Sequence, residues 1–283
     1  MPGTLYLCAT PIGNLGDMTP RAVETLRAVD VIAAEDTRNS IKLLNHFDIH
    51  TPMTSYHEYN KVEKARKLVE QLLEGQNVAL ITDAGTPAIS DPGEVLVRMC
   101  QESGIPVTAL PGPAACITAL TLSGLPTRRF CFEGFLPSDK KEKRKVLEEL
   151  SQESRTIILY EAPHHMIRTL QELYEVLGDR DVTLCRELTK KFESVMPTTL
   201  SKALKYYKEQ EPKGEYVLVL RGRSREEKRR EEISAWESMS IEEHMVYYQE
   251  QGMDNKEAMK QVAKDRGVGK REIYAYLHKG EEE

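Results

Sequence analysis

The chain has 283 residues, of which 40% are hydrophobic and 30% are charged, and its formal net charge is −6. This length suits two compact domains with a small appendage, and the negative charge argues against a broad nucleic-acid-binding surface. No apolar run approaches the roughly 20 residues that a membrane-spanning helix needs.

The N-terminus and the cysteines bear on the cellular compartment. Met1–Leu7 contains no basic segment followed by an apolar core, so we expect no export signal and a cytoplasmic protein. The five cysteines are odd in number, and no pair has the spacing of a zinc site or a redox motif. Cys8, Cys100 and Cys185 stand in apolar surroundings and are predicted to be buried thiols. We therefore expect no bound metal.

Short apolar strands alternate with amphipathic helices over residues 1–115, the predicted N-terminal α/β domain. Nearly continuous apolar strands joined by helices predict a parallel sheet that is covered on both faces. The predicted elements are strand Leu5–Ala9, helix Arg21–Ala28 after Thr19-Pro20, strand Val29–Ala34, helix Val62–Leu73, strand Val78–Ile81, a helix from Glu94, and strand Val107–Leu110.

A second α/β domain is predicted over residues 116–222, after the Pro111-Gly112-Pro113 segment. Its strands and helices follow each other less regularly, which favours a mixed sheet. The predicted elements are helix Ala114–Leu122, strand Arg129–Phe135, helix Lys140–Leu150, strand Thr156–Tyr160, helix His165–Val176, strand Asp181–Cys185, helix Leu200–Tyr207 and strand Glu215–Arg221.

Residues 223–283 are predicted to form a separate helical tail, in which Arg223–Glu232 is a linker or a solvated helix. Gly267-Val268-Gly269 lies between the last two helices and resembles the turn of a helix-turn-helix. Lys256–Lys279 carries seven basic and three acidic residues, which favours nucleic-acid contact; a bundle for dimer or domain contacts is the alternative. The three helices are predicted at Ile241–Gln251, Lys256–Lys264 and Lys270–His278.

The most informative segment is the connection Thr82–Gly93, which follows the apolar strand Val78–Ile81. It contains about ten small or rigid residues, whereas an ordinary strand-to-helix connection takes only a few. Its prolines fix φ and its glycines allow close backbone approach. Because ligands of open α/β sheets bind outside the carboxyl ends of strands, this segment is predicted to bind a ligand.

Four further segments at predicted strand ends indicate one shared cleft. None completes the glycine pattern of a dinucleotide-binding fold, and none contains the Gly-Lys-Ser/Thr of a phosphate-binding loop. Nicotinamide and nucleoside triphosphate ligands therefore lose their main support. The four segments are Ala9–Asp17, Glu35–Arg38, Leu110–Ala115 and Glu161–His165.

Together these segments resemble the tetrapyrrole methylase superfamily, also called class III methyltransferases, and within it the branch that acts on small-subunit ribosomal RNA. The resemblance runs from residue 4 to about 222 with the motifs in the expected order, and extends more weakly to the tail. The motifs that carry it are Thr10–Asp17, Glu35–Arg38, Asp83–Gly93, Pro111–Pro113 and Tyr160–His164.

The resemblance implies a homodimer of two α/β domains of tetrapyrrole-methylase type, with S-adenosylmethionine bound in the cleft between the domains. The implied reaction is 2′-O-methylation of a cytidine ribose in 16S ribosomal RNA, within the 30S subunit. Many relatives carry Gly-Asp-Pro where this chain has Gly85-Thr86-Pro87, a departure that argues against a porphyrinoid substrate. The implied cofactor contacts are Gly85, Thr86, Pro87, Ala88, Ile89, Ser90, Pro113, Ala114, Tyr160, Glu161, Ala162, Leu188 and Gly214.

A sulfonium cofactor brings its own leaving group, so the protein needs neither a covalent nucleophile nor a metal, but it must help to remove a proton. Glu35 and Asp36 are adjacent carboxylates whose repulsion can raise one pKa, and Arg38 can pair with one of them or with a phosphate; alternatively this segment begins a helix. His57 can contact a base or lie in a plain surface loop. We expect Asp36 and Arg38 to matter, with their roles left open. The full set of candidate bases is Asp17, Glu35, Asp36, His57, Glu133, Glu161 and Lys190.

Basic runs at Lys140–Lys145 and Lys190-Lys191, with the tail helices, are the predicted RNA contacts, and phosphate contact predicts salt-sensitive binding. Two alternatives stay open. One is methylation of a small tetrapyrrole or corrin precursor, for which basic patches and tail helices are unnecessary. The other is a nucleic-acid-binding regulator whose α/β body senses a metabolite.

Overall fold

A computed structural model describes residues 1–224, 226, 236 and 239–277. The chain divides into two compact units, Met1–Gly222 and Arg223–Glu283. The predicted domain limit at residue 222 coincides with this division, whereas the predicted limit at residue 115 stays a prediction. Most of the predicted linker Arg223–Glu232 and the last residue of the third predicted tail helix lie outside the described residues. No helix in the described part is long and apolar enough to span a membrane.

The first unit contains a five-stranded sheet in which every neighbouring pair of strands is parallel, in the order β3-β2-β4-β1-β5. Two helices cover each face, because alternate residues of the strands point to opposite sides. The predicted parallel sheet is therefore confirmed. Its strands are β1 (Leu5–Cys8), β2 (Val31–Ala34), β3 (Met53–Ser55), β4 (Val78–Ile81) and β5 (Val107–Leu110), and its helices are α1 (Pro20–Ala28), α2 (Thr37–His46), α3 (Lys61–Leu73) and α4 (Gly93–Glu102).

The first unit also contains a second five-stranded sheet, in the order β6-β7-β10-β8-β9, with only β6 and β7 parallel. The predicted mixed sheet is confirmed. Helices α6, α7 and α8 pack on one face, and α5 packs on the other. The strands are β6 (Phe130–Phe135), β7 (Thr156–Glu161), β8 (Asp181–Arg186), β9 (Ser194–Thr199) and β10 (Tyr216–Leu220), and the helices are α5 (Ala115–Leu122), α6 (Lys140–Gln152), α7 (Met166–Leu177) and α8 (Leu200–Glu209).

The structure adds β3, β9 and a 3-10 helix at Leu15–Asp17 to the predicted elements, and it adds α2, whose start the sequence analysis leaves as an alternative. Strand β3 has only three residues, too few to establish a period. Strand β9 contains Pro197 and lies at the edge of its sheet, which is where a strand tolerates proline. The buried thiols predicted at Cys8, Cys100 and Cys185 are confirmed.

Over residues 239–277 the second unit contains the three predicted helices: α9 (Ile241–Glu250), α10 (Asn255–Asp265) and α11 (Lys270–Leu277). Helices α9 and α10 each begin with a capping box, formed by Ser240 with Glu243 and by Asp254 with Glu257. Such reciprocal bonds satisfy amide groups that a helix start leaves without a partner. The helices enclose a small apolar core of Met245, Tyr248, Ala258, Met259, Val262, Ala263 and Ile273.

Candidate active site

A cleft of about 500 Å³ opens within the first unit, a volume typical of small-molecule sites. The loops that follow β1, β2, β4 and β5 line it from the parallel sheet, since the carboxyl ends of parallel strands share one edge. The residues that follow β7 and β8, together with the start of β10, line it from the mixed sheet. The strand ends that the sequence analysis singles out therefore meet at one place.

The loop Thr82–Pro92 after β4 is anchored at its start by a short antiparallel bridge between Gly85 and Thr10. The Thr10 N–H donates to the Gly85 carbonyl over 2.9 Å, and the Gly85 N–H donates to the Thr10 carbonyl over 3.0 Å. Gly85 has a φ of +85°, and a Cβ placed on it would lie 3.2 Å from Ile12 Cγ2. Glycine is favoured here because the backbone is left-handed and the neighbouring side chain is close.

The middle of the same loop is held by Asp91. Its Oδ1 accepts hydrogen bonds from the N–H groups of Ala88, over 2.7 Å, and of Gly93, over 3.4 Å. Ala88 has a φ of +66°, which is uncommon for a residue with a side chain and persists only where the surroundings enforce it. Burial raises the pKa of the Asp91 carboxyl. The loop thus keeps one shape through side-chain bonds to its own backbone.

Thr86 connects this loop to the segment after β5. Its Oγ1 donates a hydrogen bond to the Pro113 carbonyl oxygen over 2.9 Å. An ionised aspartate at this position has no proton to donate and would place its charge against that oxygen. The hydroxyl therefore gives a physical reason for threonine at the position where many relatives in the superfamily carry aspartate.

Nine of the thirteen predicted cofactor contacts line the cleft, and the other four are not among its lining residues. Pro113 accepts the bond from Thr86, and a Cβ on Gly214 would lie 2.5 Å from Glu187 Cγ, so Gly214 allows a close approach of the two segments. Pro87 and Ala88 belong to the loop but are not lining residues. The nine are Gly85, Thr86, Ile89, Ser90, Ala114, Tyr160, Glu161, Ala162 and Leu188.

Tyr160 and Glu161 join the end of β7 to the wall of the cleft. The Tyr160 hydroxyl oxygen accepts a hydrogen bond from the Cys116 N–H over 3.2 Å, and burial raises the pKa of this hydroxyl. Glu161 is buried, and one of its carboxylate oxygens accepts from the Ala162 N–H over 2.8 Å. Both side chains thus accept hydrogen bonds from backbone groups of the cleft wall and help to fix its shape.

Of the four predicted catalytic residues, Glu35 alone lines the cleft. The Thr82 hydroxyl donates to Glu35 Oε2 over 2.6 Å. Asp36 follows directly in the chain, but its carboxylate accepts from Arg38. The two carboxylates consequently have different partners.

Asp36 caps the first turn of α2, and its carboxylate accepts from the Arg38 backbone N–H over 2.8 Å. Its Oδ2 also pairs with Arg38 Nη2 over 2.7 Å. Hydrogen bonds from Arg38 lower the pKa of Asp36 to about 2. The shift is opposite to the one that repulsion by Glu35 would produce, so the prediction of a raised pKa is wrong for Asp36. The helix start, which the sequence analysis leaves as an alternative, is confirmed.

Arg38 and His57 are not lining residues of the cleft. The Arg38 side chain is 87% exposed. His57 lies between β3 and α3, where its backbone N–H donates to Asn60 Oδ1 over 2.9 Å and its Nε2 lies 3.2 Å from Asn60 Nδ2. Its buried Nδ1 has no hydrogen-bond partner among the described residues. Of the four residues that the sequence analysis groups as catalytic, three therefore do not line the cleft.

Lys190, one of the candidate bases of the sequence analysis, lines the cleft together with several residues outside the predicted set. Its Nζ pairs with Glu187 over 3.0 Å and with Glu215 over 2.7 Å. Burial acts to lower the pKa of Lys190, but these two carboxylates outweigh it and raise the pKa, which disfavours Lys190 as a base. Asp83 and Asp91 could have been recognised from their place in the loop, whereas Phe135, at the end of β6, and Glu215 carry no local signal.

The basic run Lys140–Lys145 lies on α6, which packs on the face of the mixed sheet opposite α5 and the Leu188 side of the cleft. Two of its members have partners within the chain. Lys143 pairs with Glu172 over 2.6 Å, and Arg144 pairs with Glu148 over 2.9 Å. RNA contact by this run stays a prediction.

Comparison with known proteins agrees with this architecture. The model of the family described as Tetrapyrrole (Corrin/Porphyrin) Methylases matches residues 4–204. Two proteins named "Ribosomal RNA small subunit methyltransferase I" are similar along nearly the whole chain. The one from Halalkalibacterium halodurans is 50% identical, covering 98% of this chain and 95% of its own length, and the one from Bacillus subtilis is 48% identical, covering 98% and 94%.

Solved structures share the fold at low sequence identity. A diphthine synthase aligns with a TM-score of 0.60 at 14% identity, covering 78% of this chain and 91% of that protein. A uroporphyrin-III C-methyl transferase from Thermus thermophilus, complexed with S-adenyl homocysteine, aligns with a TM-score of 0.53 at 18% identity, covering 77% and 97%. With the family match and the relatives above, these findings show that the chain belongs to the tetrapyrrole methylase family, among the homologues of the proteins named ribosomal RNA small subunit methyltransferase I.

Proposed function

We propose that the protein transfers a methyl group from S-adenosylmethionine to the 2′-oxygen of a cytidine ribose in 16S ribosomal RNA. The observation that carries this proposal is the 50% identity, over 98% of the chain, to a protein named as a small-subunit ribosomal RNA methyltransferase. The choice of the ribose oxygen goes beyond that name. It is supported by a cleft that offers a carboxylate base, since an oxygen nucleophile requires removal of its proton.

The residues of the cleft fit S-adenosylmethionine. Ile89, Ala114 and Leu188 provide apolar surface for an adenine ring, and the Thr82–Pro92 loop provides backbone groups and the Ser90 hydroxyl for the polar parts. We propose that the nine lining residues bind the cofactor and that Pro87, Ala88, Pro113 and Gly214 shape the wall behind them. When bound, the cofactor supplies an electrophilic methyl group and its own leaving group.

We propose Glu35 as the general base. Its Oε2 is oriented by the Thr82 hydroxyl, which leaves Oε1 to accept the proton of the ribose 2′-hydroxyl. A positioned base contributes about 10²–10⁴-fold to a rate, and holding the reactants in line contributes further. Asp36 is less suitable, because a carboxyl with a pKa of about 2 is a weak base at neutral pH.

The wider setting is also a proposal. We propose a cytoplasmic homodimer that acts on the 30S subunit, with domains at residues 1–115, 116–222 and 223–283. The separate apolar clusters of the parallel and the mixed sheet support two domains within the first unit. In this arrangement the exposed Arg38 side chain, three residues after Glu35, can contact phosphate.

Methylation of a small tetrapyrrole is less well supported. The uroporphyrin-III enzyme resembles this chain at 18% identity, which establishes the fold alone. The relatives at about 50% identity carry the name of a ribosomal RNA enzyme. The same relatives favour an enzyme over a regulator that only senses a metabolite.

The proposal is tested by incubating the protein with S-adenosylmethionine that carries a labelled methyl group and with 30S subunits or naked 16S RNA. The RNA is then digested and its nucleosides are analysed by mass spectrometry. A labelled 2′-O-methylcytidine is the expected product. A label on a base, or the absence of transfer to both RNA forms while the cofactor binds, would refute the proposal, and the second result would favour a small-molecule substrate.

A further inference from the structure

Helix α10 carries a row of three lysines, Lys256, Lys260 and Lys264, which we call the lysine stripe. All three are exposed. They are spaced four residues apart, and a helix rises 1.5 Å per residue, so they follow one face over about 12 Å. The opposite part of α10 supplies Ala258 and Val262 to the core of the second unit. The packing of the unit therefore fixes the stripe toward solvent.

None of the three lysines takes part in an ion pair among the described residues of the second unit, where His244 and Asp265 form such a pair. Like charges four residues apart destabilise a helix. Two carboxylates of the same helix bond to other groups: Glu257 accepts from the Asp254 N–H in the capping box, and Asp265 accepts from the Tyr248 hydroxyl over 2.5 Å and from Gln261 over 3.0 Å. An exposed row of three lysines on an ordered helix is suited to binding a polyanion.

The position of α10 in its unit agrees with that ligand. Helices α10 and α11 are joined by a short turn that contains Gly267, with a φ of +66°. In a helix-turn-helix the first helix crosses the phosphate backbone, and α10 is the first helix of this pair. Lys270 and Arg271, both exposed at the start of α11, add positive charge beside the turn.

We propose that the lysine stripe binds the phosphate backbone of the 16S RNA substrate and so contributes affinity that does not depend on sequence. The inference rests on the proposed function. Each phosphate that is neutralised releases counterions, and the slope of log K against log salt changes by about 0.7 to 0.9 per contact. Three contacts therefore predict a contribution of about 2 to 3 to that slope.

The test uses the full-length protein with Lys256→Gln, Lys260→Gln and Lys264→Gln combined, since glutamine keeps helix propensity and removes the charge. Binding to 30S subunits and to 16S RNA is measured over a series of KCl concentrations. We expect RNA affinity at low salt to fall by about tenfold or more and the salt slope to fall by about 2 to 3. The affinity for S-adenosylmethionine is expected to stay unchanged. The triple arginine variant should retain the wild-type slope.

The matched control is the combination Lys202→Gln, Lys205→Gln and Lys208→Gln on α8. These three lysines are also exposed, and α8 packs on the face of the mixed sheet away from α5. The control removes the same charge, so it should change RNA affinity by less than about twofold if the location of the charge matters.

An unchanged salt slope in the stripe variant, with wild-type protein that binds and methylates 16S RNA, would overturn this inference and leave the proposed function standing. An equal loss in the α8 control would also overturn it, because net charge alone would then explain the effect. A change of oligomeric state with the slope unchanged would assign the face to protein contacts instead. Wild-type protein that neither binds nor methylates the RNA would refute the proposed function itself.

Discussion

The loop Thr82–Pro92 and the segment Glu35–Arg38 follow neighbouring parallel strands, β4 and β2, and begin at the same edge of the sheet. They are built in opposite ways. The loop is held by local hydrogen bonds, such as those that Asp91 Oδ1 accepts from the N–H groups of Ala88 and Gly93. The segment after β2 instead starts a helix and directs an ion pair outward. The loop thus has a fixed surface suited to a small molecule. The segment Glu35–Arg38 has an exposed charge suited to a macromolecule.

Glu35 is the exception that connects the two regions. It belongs to the charged segment by sequence, but the Thr82 hydroxyl draws its carboxylate into the cleft. Asp36, the next residue, donates its backbone N–H to Asp83 Oδ1 over 3.2 Å and turns its own carboxylate to Arg38. The two adjacent carboxylates therefore have different hydrogen-bond partners. The following variants test what that difference means for catalysis and binding.

The largest effect is expected for Glu35→Gln. Glutamine keeps an oxygen that can accept from Thr82 but cannot take a proton at neutral pH, so we expect kcat to fall by about 10²–10⁴-fold with little change in cofactor affinity. Single-turnover methyl transfer to 30S subunits measures this loss. Asp36→Asn is the control and should lower kcat by less than about fivefold, since a base of pKa about 2 contributes little. A larger loss in Asp36→Asn than in Glu35→Gln would reverse the assignment.

Gly85→Ala should have the second largest effect. A left-handed backbone costs a non-glycine residue about 1–2 kcal/mol, and the added Cβ would lie 3.2 Å from Ile12 in the cleft. We expect cofactor affinity, measured by calorimetry, to fall by about tenfold, the equivalent of 1.4 kcal/mol.

Gly104→Ala is the control for this substitution. Gly104 has a φ of +67°, and nothing lies within 4 Å of the position of an added Cβ. The variant should lose a similar amount of unfolding free energy and keep its cofactor affinity. Equal losses of affinity in the two variants would mean that backbone strain, and not the cleft contact, is responsible.

A smaller effect is expected for Arg38→Ala. Because this side chain is 87% exposed and pairs with Asp36 at the protein surface, its removal should leave cofactor affinity unchanged. Loss of one charge-assisted phosphate contact should raise the KM for 30S subunits by a few-fold, about 3- to 10-fold. Arg98→Ala, which removes another exposed arginine paired with a glutamate, should leave that KM unaltered. An increase in the KM for the cofactor would contradict the division of roles between the loop Thr82–Pro92, which binds the cofactor, and the segment Glu35–Arg38.

The smallest effect is expected for Asp91→Asn, and it should depend on pH. Burial raises the pKa of Asp91 above its ordinary value of 3.8, so ionisation costs the folded protein more than the unfolded chain. The neutral Asp91 carboxyl therefore gives the folded wild type its full stabilisation below about pH 4. This stabilisation is lost as the pH rises through the raised pKa. Asparagine does not ionise and can still accept from Ala88.

Thermal unfolding from pH 4 to pH 7 measures this difference. Relative to the wild type, the Tm of Asp91→Asn should rise with pH by about 1–3 °C. A constant offset between the two proteins at every pH would show that ionisation of Asp91 does not affect stability.

Local sequence determined most of the fold. The four apolar residues of β4 coincide with their prediction, and Thr19 caps α1 as the Thr19-Pro20 pair indicates. These features follow from the period of apolar residues and from caps, which act within a few positions. Strand β3 could not be predicted because three half-buried residues show no period, and its place depends on pairing with β2.

Sequence also located the cleft, since the glycines and prolines of Thr82–Gly93 limit the backbone by themselves. It could not decide which carboxylate enters that cleft. Glu35, and not Asp36, lines the cleft because the Thr82 hydroxyl, 47 positions away, donates to Glu35. The Asp36 carboxylate pairs with Arg38 instead. The direction of a side chain at a strand end depends on the neighbouring strand and loop, so only the tertiary structure determines which adjacent carboxylate faces the ligand.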